Sequence, residues 1–160
     1  MKRNGQRVIF AILSLLTVVF IFSNSMQKRE TSNARSESIA DKIKPVIGVT
    51  EDPATETAEV SGQVDWVNHY VRKAAHMAEF ALLGFFAMGL SDTAPWKKWL
   101  QVIAAAGVVL AVGAADETIQ LFIEERGPSV KDVGIDFIGG ALGIGMMLGL
   151  LMLRRRRGRV

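Results

Sequence analysis

The chain has no cysteine. Disulfides, thiolate metal sites and a cysteine nucleophile are therefore excluded. Proline is scarce, and all four residues (Pro45, Pro53, Pro95 and Pro128) fall in stretches that read as loop or turn. Charge is missing from most of four long stretches, although 22% of the residues are charged. It collects between residues 23 and 73, between 116 and 136, and at the two tips. Such segregation is expected when lipid rather than water surrounds part of a fold.

What is present is apolar in long runs. A first segment, Val8 to Phe22, is apolar apart from Ser14 and Thr17, and Lys2, Arg3 and Arg7 precede it. A secretory signal peptide begins the same way, but Ser23-Asn24-Ser25-Met26 supplies no small-residue cleavage site. These uncharged residues extend the run toward the roughly 20 residues a span needs, so a retained helix is expected. A second segment covers Ala74 to Leu90, a third Trp99 to Ala115, and a fourth Val133 to Leu153. The third has no polar face, which argues against a soluble helix. The expected fold is all-α and polytopic, with four transmembrane helices and a long extracytoplasmic loop between the first two.

The expected organisation is an N-terminal transmembrane helix at 1–22, a loop at 23–65, a three-helix core at 66–153 and a basic tail at 154–160. Within the loop, Thr31 to Ile43 allows a short amphipathic helix, and Thr50 to Gly62 reads as flexible. A separate soluble domain is not expected, because the loop has too little apolar material for a core. The net charge of +3 and pI near 9.4 do not indicate nucleic acid. The run Arg154 to Arg157 directly follows an apolar segment and reads as a topology anchor, with no nucleic-acid module beside it.

Basic residues set the orientation. With a cytoplasmic N-terminus, Lys2, Arg3, Arg7, Lys97, Lys98 and five C-terminal arginines lie inside, ten in all. The short outer loop before the fourth segment has only Arg126 and Lys131. The long first loop mixes seven basic and eight acidic residues through residue 73 and is a poor reporter. Both termini are expected in the cytoplasm, with the protein in a bacterial cytoplasmic membrane.

This topology brings three separated polar groups to one outer depth. They are Arg72, Lys73, His76 and Glu79; Asp116, Glu117 and Gln120; and Asp132 and Asp136, with Arg126 and Ser129 in the joining loop. Spacings of three and four residues put Arg72, His76 and Glu79 on one face, and likewise Asp116 with Gln120 and Asp132 with Asp136. The last face continues to Gly139 and Gly143, a pair that permits close helix contact; Gly145 and Gly149 form a second pair on another face. A charge at bilayer centre costs about 2.5–3.5 kcal/mol, so these side chains are expected to turn toward one another.

The residues at these positions resemble the VanZ-like family. Arg72-Lys73-Ala74-Ala75-His76-Met77-Ala78-Glu79-Phe80 with Leu83-Gly84 is similar to its first motif, and Asp116-Glu117-Thr118-Ile119-Gln120-Leu121-Phe122 to its second. Arg126-Gly127-Pro128-Ser129-Val130-Lys131-Asp132-Val133, then Asp136 and Gly139-Gly140-Ala141-Leu142-Gly143, is similar to the third. The resemblance covers about residues 66 to 150, and the Phe22-Ser23-Asn24 exit from the first segment fits bacterial members. It departs at Asp136, where the family often has Asn, which makes the site more acidic here. The resemblance implies a membrane protein of the cell envelope linked to glycopeptide (teicoplanin) resistance; it supplies no activity.

Three functions follow as expectations. The first is an envelope protein with an outward polar pocket that binds a cell-wall precursor or lipid-linked component. The second is a membrane-embedded hydrolase or transferase with His76, Glu79, Glu117 and Asp136 as catalytic groups and Lys73, Asp116, Gln120, Arg126 and Asp132 as ligand-binding groups. The third is a non-enzymatic scaffold in which the cluster is structural glue. His76 suits either a general base oriented by a carboxylate or a metal ligand beside Glu79, Glu117 or Asp136. No cofactor is required; His with carboxylates suits zinc or manganese, although the spacing matches no established metal motif. Arg126 suits phosphate or carboxylate, or simply pairs Glu125 or Asp132. Ser129 is better read as the N-cap of the fourth helix, with Asp132 three residues on, than as a nucleophile. His69 is expected near the interface between Trp66 and Tyr70, which suit an aromatic belt.

Overall fold

A computed structural model describes residues 3–26, 58–122 and 130–157. The described residues are helical, with no strand among them. They form α1 (Arg3–Ser25), α2 (Ala58–Asp92), α3 (Lys98–Gln120) and α4 (Val130–Arg157). Each contains a stretch long and apolar enough to cross a membrane: Asn4–Ser25, Tyr70–Asp92, Lys98–Gln120 and Lys131–Arg157. At 1.5 Å per residue, a helix of 23 residues is about 35 Å long, enough for a hydrocarbon core of about 30 Å.

Each helix is longer than its uncharged part. The apolar runs mark only the lipid-facing length, whereas the helices continue into their polar ends. The difference is largest in α2, which begins at Ala58, 16 residues before the apolar run at Ala74, and takes in the last part of the stretch that reads as flexible. The proposed amphipathic helix at Thr31 to Ile43 lies outside the described residues.

The chain enters and leaves by alternate ends. α1 and α3 run one way, and α2 and α4 run the other. The most extensive packing is between the parallel pair α2 and α4, which are not neighbours in sequence. α1 packs mainly on α2, and α3 packs on both α2 and α4. Glycines make the α2–α4 seam close. A Cβ on Gly139 would run into the Met77 backbone, one on Gly143 into the Ala81 carbonyl, and one on Gly84 into the Gly140 backbone. The first glycine pair therefore packs as its spacing suggests. The second does not: Cβ atoms on Gly145 and Gly149 would meet nothing within 4 Å. That face turns away from the bundle.

The core contains Ile21 of α1, Phe80, Leu83, Ala87 and Met88 of α2, Ala105 and Val109 of α3, and Ile144 and Met147 of α4. Outward positions are equally apolar, including Leu15, Val19, Ile103, Leu142 and Met146. Apolar residues on both faces are what a bundle in lipid requires, and a surface of this kind would be unstable in water. The fold is that of a multi-pass membrane protein. Between α2 and α3 the chain turns at residues 93–97, where Thr93 Oγ1 donates to the Leu90 carbonyl at 2.7 Å and Gln101 Nε2 to the Ala94 carbonyl at 2.9 Å.

Candidate functional site

The polar residues gather at the end of the bundle where α1 and α3 finish and α2 and α4 pass inward. Successive helical residues are turned by about 100°, so His76 and Glu79 share a face but diverge by about 60°. The divergence sends them to different partners. His76 points to α4, where its Nδ1 is 3.8 Å from Asp136 Oδ1. Glu79 points to α1, where Asn24 Nδ2 donates to its Oε1 at 2.7 Å.

α3 contributes Asp116 and Glu117, both buried, and Gln120 one turn later. Gln120 Nε2 donates to Asp116 Oδ2 at 2.9 Å and to Ser25 Oγ of α1 at 3.0 Å. The side chain therefore ties two helices together through one amide. Asp116 is fully buried and Asp136 is 3% exposed. His76, Asp116 and Asp136 each offer one ligand atom, and these atoms lie within 4.8 Å of one another. Nearer the surface, Lys73 Nζ approaches Asp132 Oδ1 at 3.1 Å, with both side chains partly exposed. The two pair as charges without an aligned hydrogen bond on that oxygen.

The sequence-derived set thus divides. His76, Asp116 and Asp136 converge as a trio from three helices, with Gln120 behind Asp116. Lys73 and Asp132 form a rung one turn farther out. Glu117 is buried close by on α3, and Glu79 is engaged with α1; neither belongs to the trio. Asp116, expected as a ligand-binding group, takes the place beside His76 that Glu79 or Glu117 was expected to fill. Arg126 and Ser129 lie outside the described residues, as do the side chains of Trp66 and His69; Tyr70 is exposed.

Two residues of this end escape a sequence reading, Asn24 and Ser25. Ser25 is fully buried, and Asn24 reaches Glu79. Their signal is positional: polar residues that close an apolar helix at the same depth as the other three groups. They look like helix extension until a partner is known.

The opposite end differs. A cavity of about 800 Å³ opens there between α1, α2 and α4, lined by Phe10, Phe85, Met147 and Leu151 and rimmed by Arg154, Arg155 and Arg157. It is largely apolar and is not the polar pocket expected at the acidic end. Asp92 on its margin takes both Lys98 at 2.5 Å and Arg155 at 3.3 Å.

No curated protein and no solved structure matches the chain. A family model described as VanZ/LLP1 matches residues 10–153. The match begins within α1 and runs to the end of the apolar part of α4, so it takes in parts of all four helices and every polar residue described at the acidic end. With this match across nearly all of a four-helix membrane bundle, the chain belongs to the VanZ/LLP1 family.

Proposed function

We propose that this protein is a cell-envelope member of its family whose acidic end faces out of the cytoplasm and binds a cell-wall precursor or another lipid-linked component at the outer leaflet. The observation that carries this reading is the meeting of His76, Asp116 and Asp136 within 4.8 Å, largely out of water. Ionisable groups inside a membrane protein are costly and are retained where they act on a ligand or an ion. The outward orientation rests on the ten basic residues at the other end and its adjoining tips. Link to glycopeptide (teicoplanin) resistance is part of this proposal, through the family.

A second reading is favoured by one contact. The 3.8 Å approach of His76 Nδ1 to Asp136 Oδ1 is longer than a hydrogen bond, but it places the carboxylate where a small tightening would let it orient the imidazole as a general base. On that reading the site is a hydrolase or transferase, with the water or hydroxyl of the substrate activated at His76.

Replacing His76, Glu117 and Asp132 singly by Ala, with membrane abundance measured beside drug susceptibility, tests the ligand site. Normal abundance with a lost phenotype is expected; parallel loss of protein would make the cluster structural glue. A reporter active only outside the cytoplasm should be inactive when fused after Val160 and active when placed near Thr55. The reverse pattern would refute the outward orientation.

A further inference from the structure

Resting on the reading of the acidic end as a ligand site, we infer that His76, Asp116 and Asp136 hold a divalent cation of the zinc or manganese class. Three features lead there. The first is geometry. One ligand atom from each side chain lies within 4.8 Å of the others, and His76 Nδ1 and Asp136 Oδ1 are 3.8 Å apart. Ligand atoms around such an ion at bond lengths of about 2.1 Å sit roughly 3–4 Å apart. The Gly139 and Gly143 seam holds α2 and α4, which carry His76 and Asp136, in close contact.

The second feature is an unmet acceptor. Asp116 is fully buried; its Oδ2 accepts from Gln120, but its Oδ1 has no hydrogen-bond partner among the described residues. A buried acceptor left in this state is destabilising, and more so when charged. Lys73 is drawn to Asp132 at the rim. A divalent ion in the trio answers Asp116 and Asp136 together and joins α2, α3 and α4 through one centre.

The third feature is the donor set and its surroundings. An imidazole beside two carboxylates favours zinc or manganese over magnesium or calcium, which prefer oxygen alone. Gln120 fixes the Asp116 carboxylate and is itself anchored on Ser25, the kind of outer contact that orients a metal ligand. Three protein ligands leave at least one position for water or for an anionic oxygen of the bound component.

The test uses the full-length, tag-free protein, purified in detergent and stripped with chelator. It is titrated calorimetrically with zinc and manganese, with magnesium as the control, and cobalt is added for its visible spectrum. One equivalent should bind, with a rise in Tm and with magnesium far weaker. Asp116→Asn and Asp136→Asn should abolish both binding and the Tm rise, and Gln120→Ala should weaken binding about tenfold. Absence of saturable binding by zinc, manganese and cobalt would overturn the inference. So would one-equivalent binding that survives both carboxylate substitutions. Should those two variants fail to fold, His76→Gln decides, because that side chain is partly exposed and undiminished binding by it would overturn the site. The two proposals fail separately. A metal-free wild type whose His76→Ala variant still loses the envelope phenotype sinks only the ion. A bound ion whose ligand variants leave the phenotype intact sinks only the envelope reading.

Discussion

The two ends of this bundle carry charge in opposite ways. At one end, Asp116, Glu117 and Asp136 are drawn between helices and lose nearly all contact with solvent. At the other, Arg154 to Arg157 lie exposed along the last turn of α4, and among the described residues only Arg155 is tied down, to Asp92. Long basic side chains can reach the headgroup layer, so the arginines anchor the helix at little cost. Short carboxylates on inward faces have no such route. Keeping them there works against stability, and the compensation has to come from neighbouring polar groups, from a ligand or from close packing. Where charge is buried rather than displayed is therefore the better guide to a working site, although the arginine run is much the more conspicuous sequence feature.

The largest expected effect tests what holds the acidic end together. If glycine packing does so, Gly143→Leu should be severe, because the new side chain meets the Ala81 and Phe85 backbone, which cannot yield without parting α2 from α4. A loss of about 3 kcal/mol or more is expected, read as a collapse of Tm in detergent and of membrane abundance. A mild phenotype would mean that the polar contacts hold that end by themselves.

Next comes the link from α1. Asn24→Ala removes the donor to Glu79 and leaves its carboxylate with one fewer partner. About 1.5–3 kcal/mol of stability should be lost, measured by thermal unfolding. Glu79→Gln together with Asn24→Ala should recover part of that loss, since the uncompensated charge has gone. Full additivity of the two changes would show that the contact is not an interaction between those side chains.

The arginine end should respond weakly. Asp92→Asn breaks partly exposed pairs with Lys98 and Arg155, and a change of about 0–1 kcal/mol, reduced further by salt, is expected. A larger loss would erase the contrast between the ends. Smallest of all, Gly145→Ala and Gly149→Ala should be neutral or stabilising by up to about 1 kcal/mol, since their Cβ atoms meet nothing and alanine favours helix. A marked loss at either position would reveal a partner on that face and would restore the packing role its spacing suggests.

Much of this was legible in the sequence. The four spans followed from apolar length, and the shared depth of the three polar groups followed from alternate crossing. Spacing marked Gly139 and Gly143 as a candidate contact, but it marked Gly145 and Gly149 equally, and those meet nothing. Illegible was which of two residues on one face meets which helix. His76 and Glu79 differ by three positions, and only the placement of α1 and α4 around α2 sends one to Asp136 and the other to Asn24. Asn24 stood out only as part of the Phe22-Ser23-Asn24 exit, and neither it nor Ser25 named a partner.

The sequence by itself determined that this chain is an all-helical membrane protein of four spans with three polar motifs at one depth. Hydrophobic length and charge segregation are properties of a chain read in order. Only the tertiary structure decided that Asp116, rather than Glu79 or Glu117, joins His76 and Asp136, and that one glycine pair is a seam while the other faces outward. Those outcomes depend on the rotation of each helix about its axis. That rotation is set by the packing of all four helices together, which no single segment encodes.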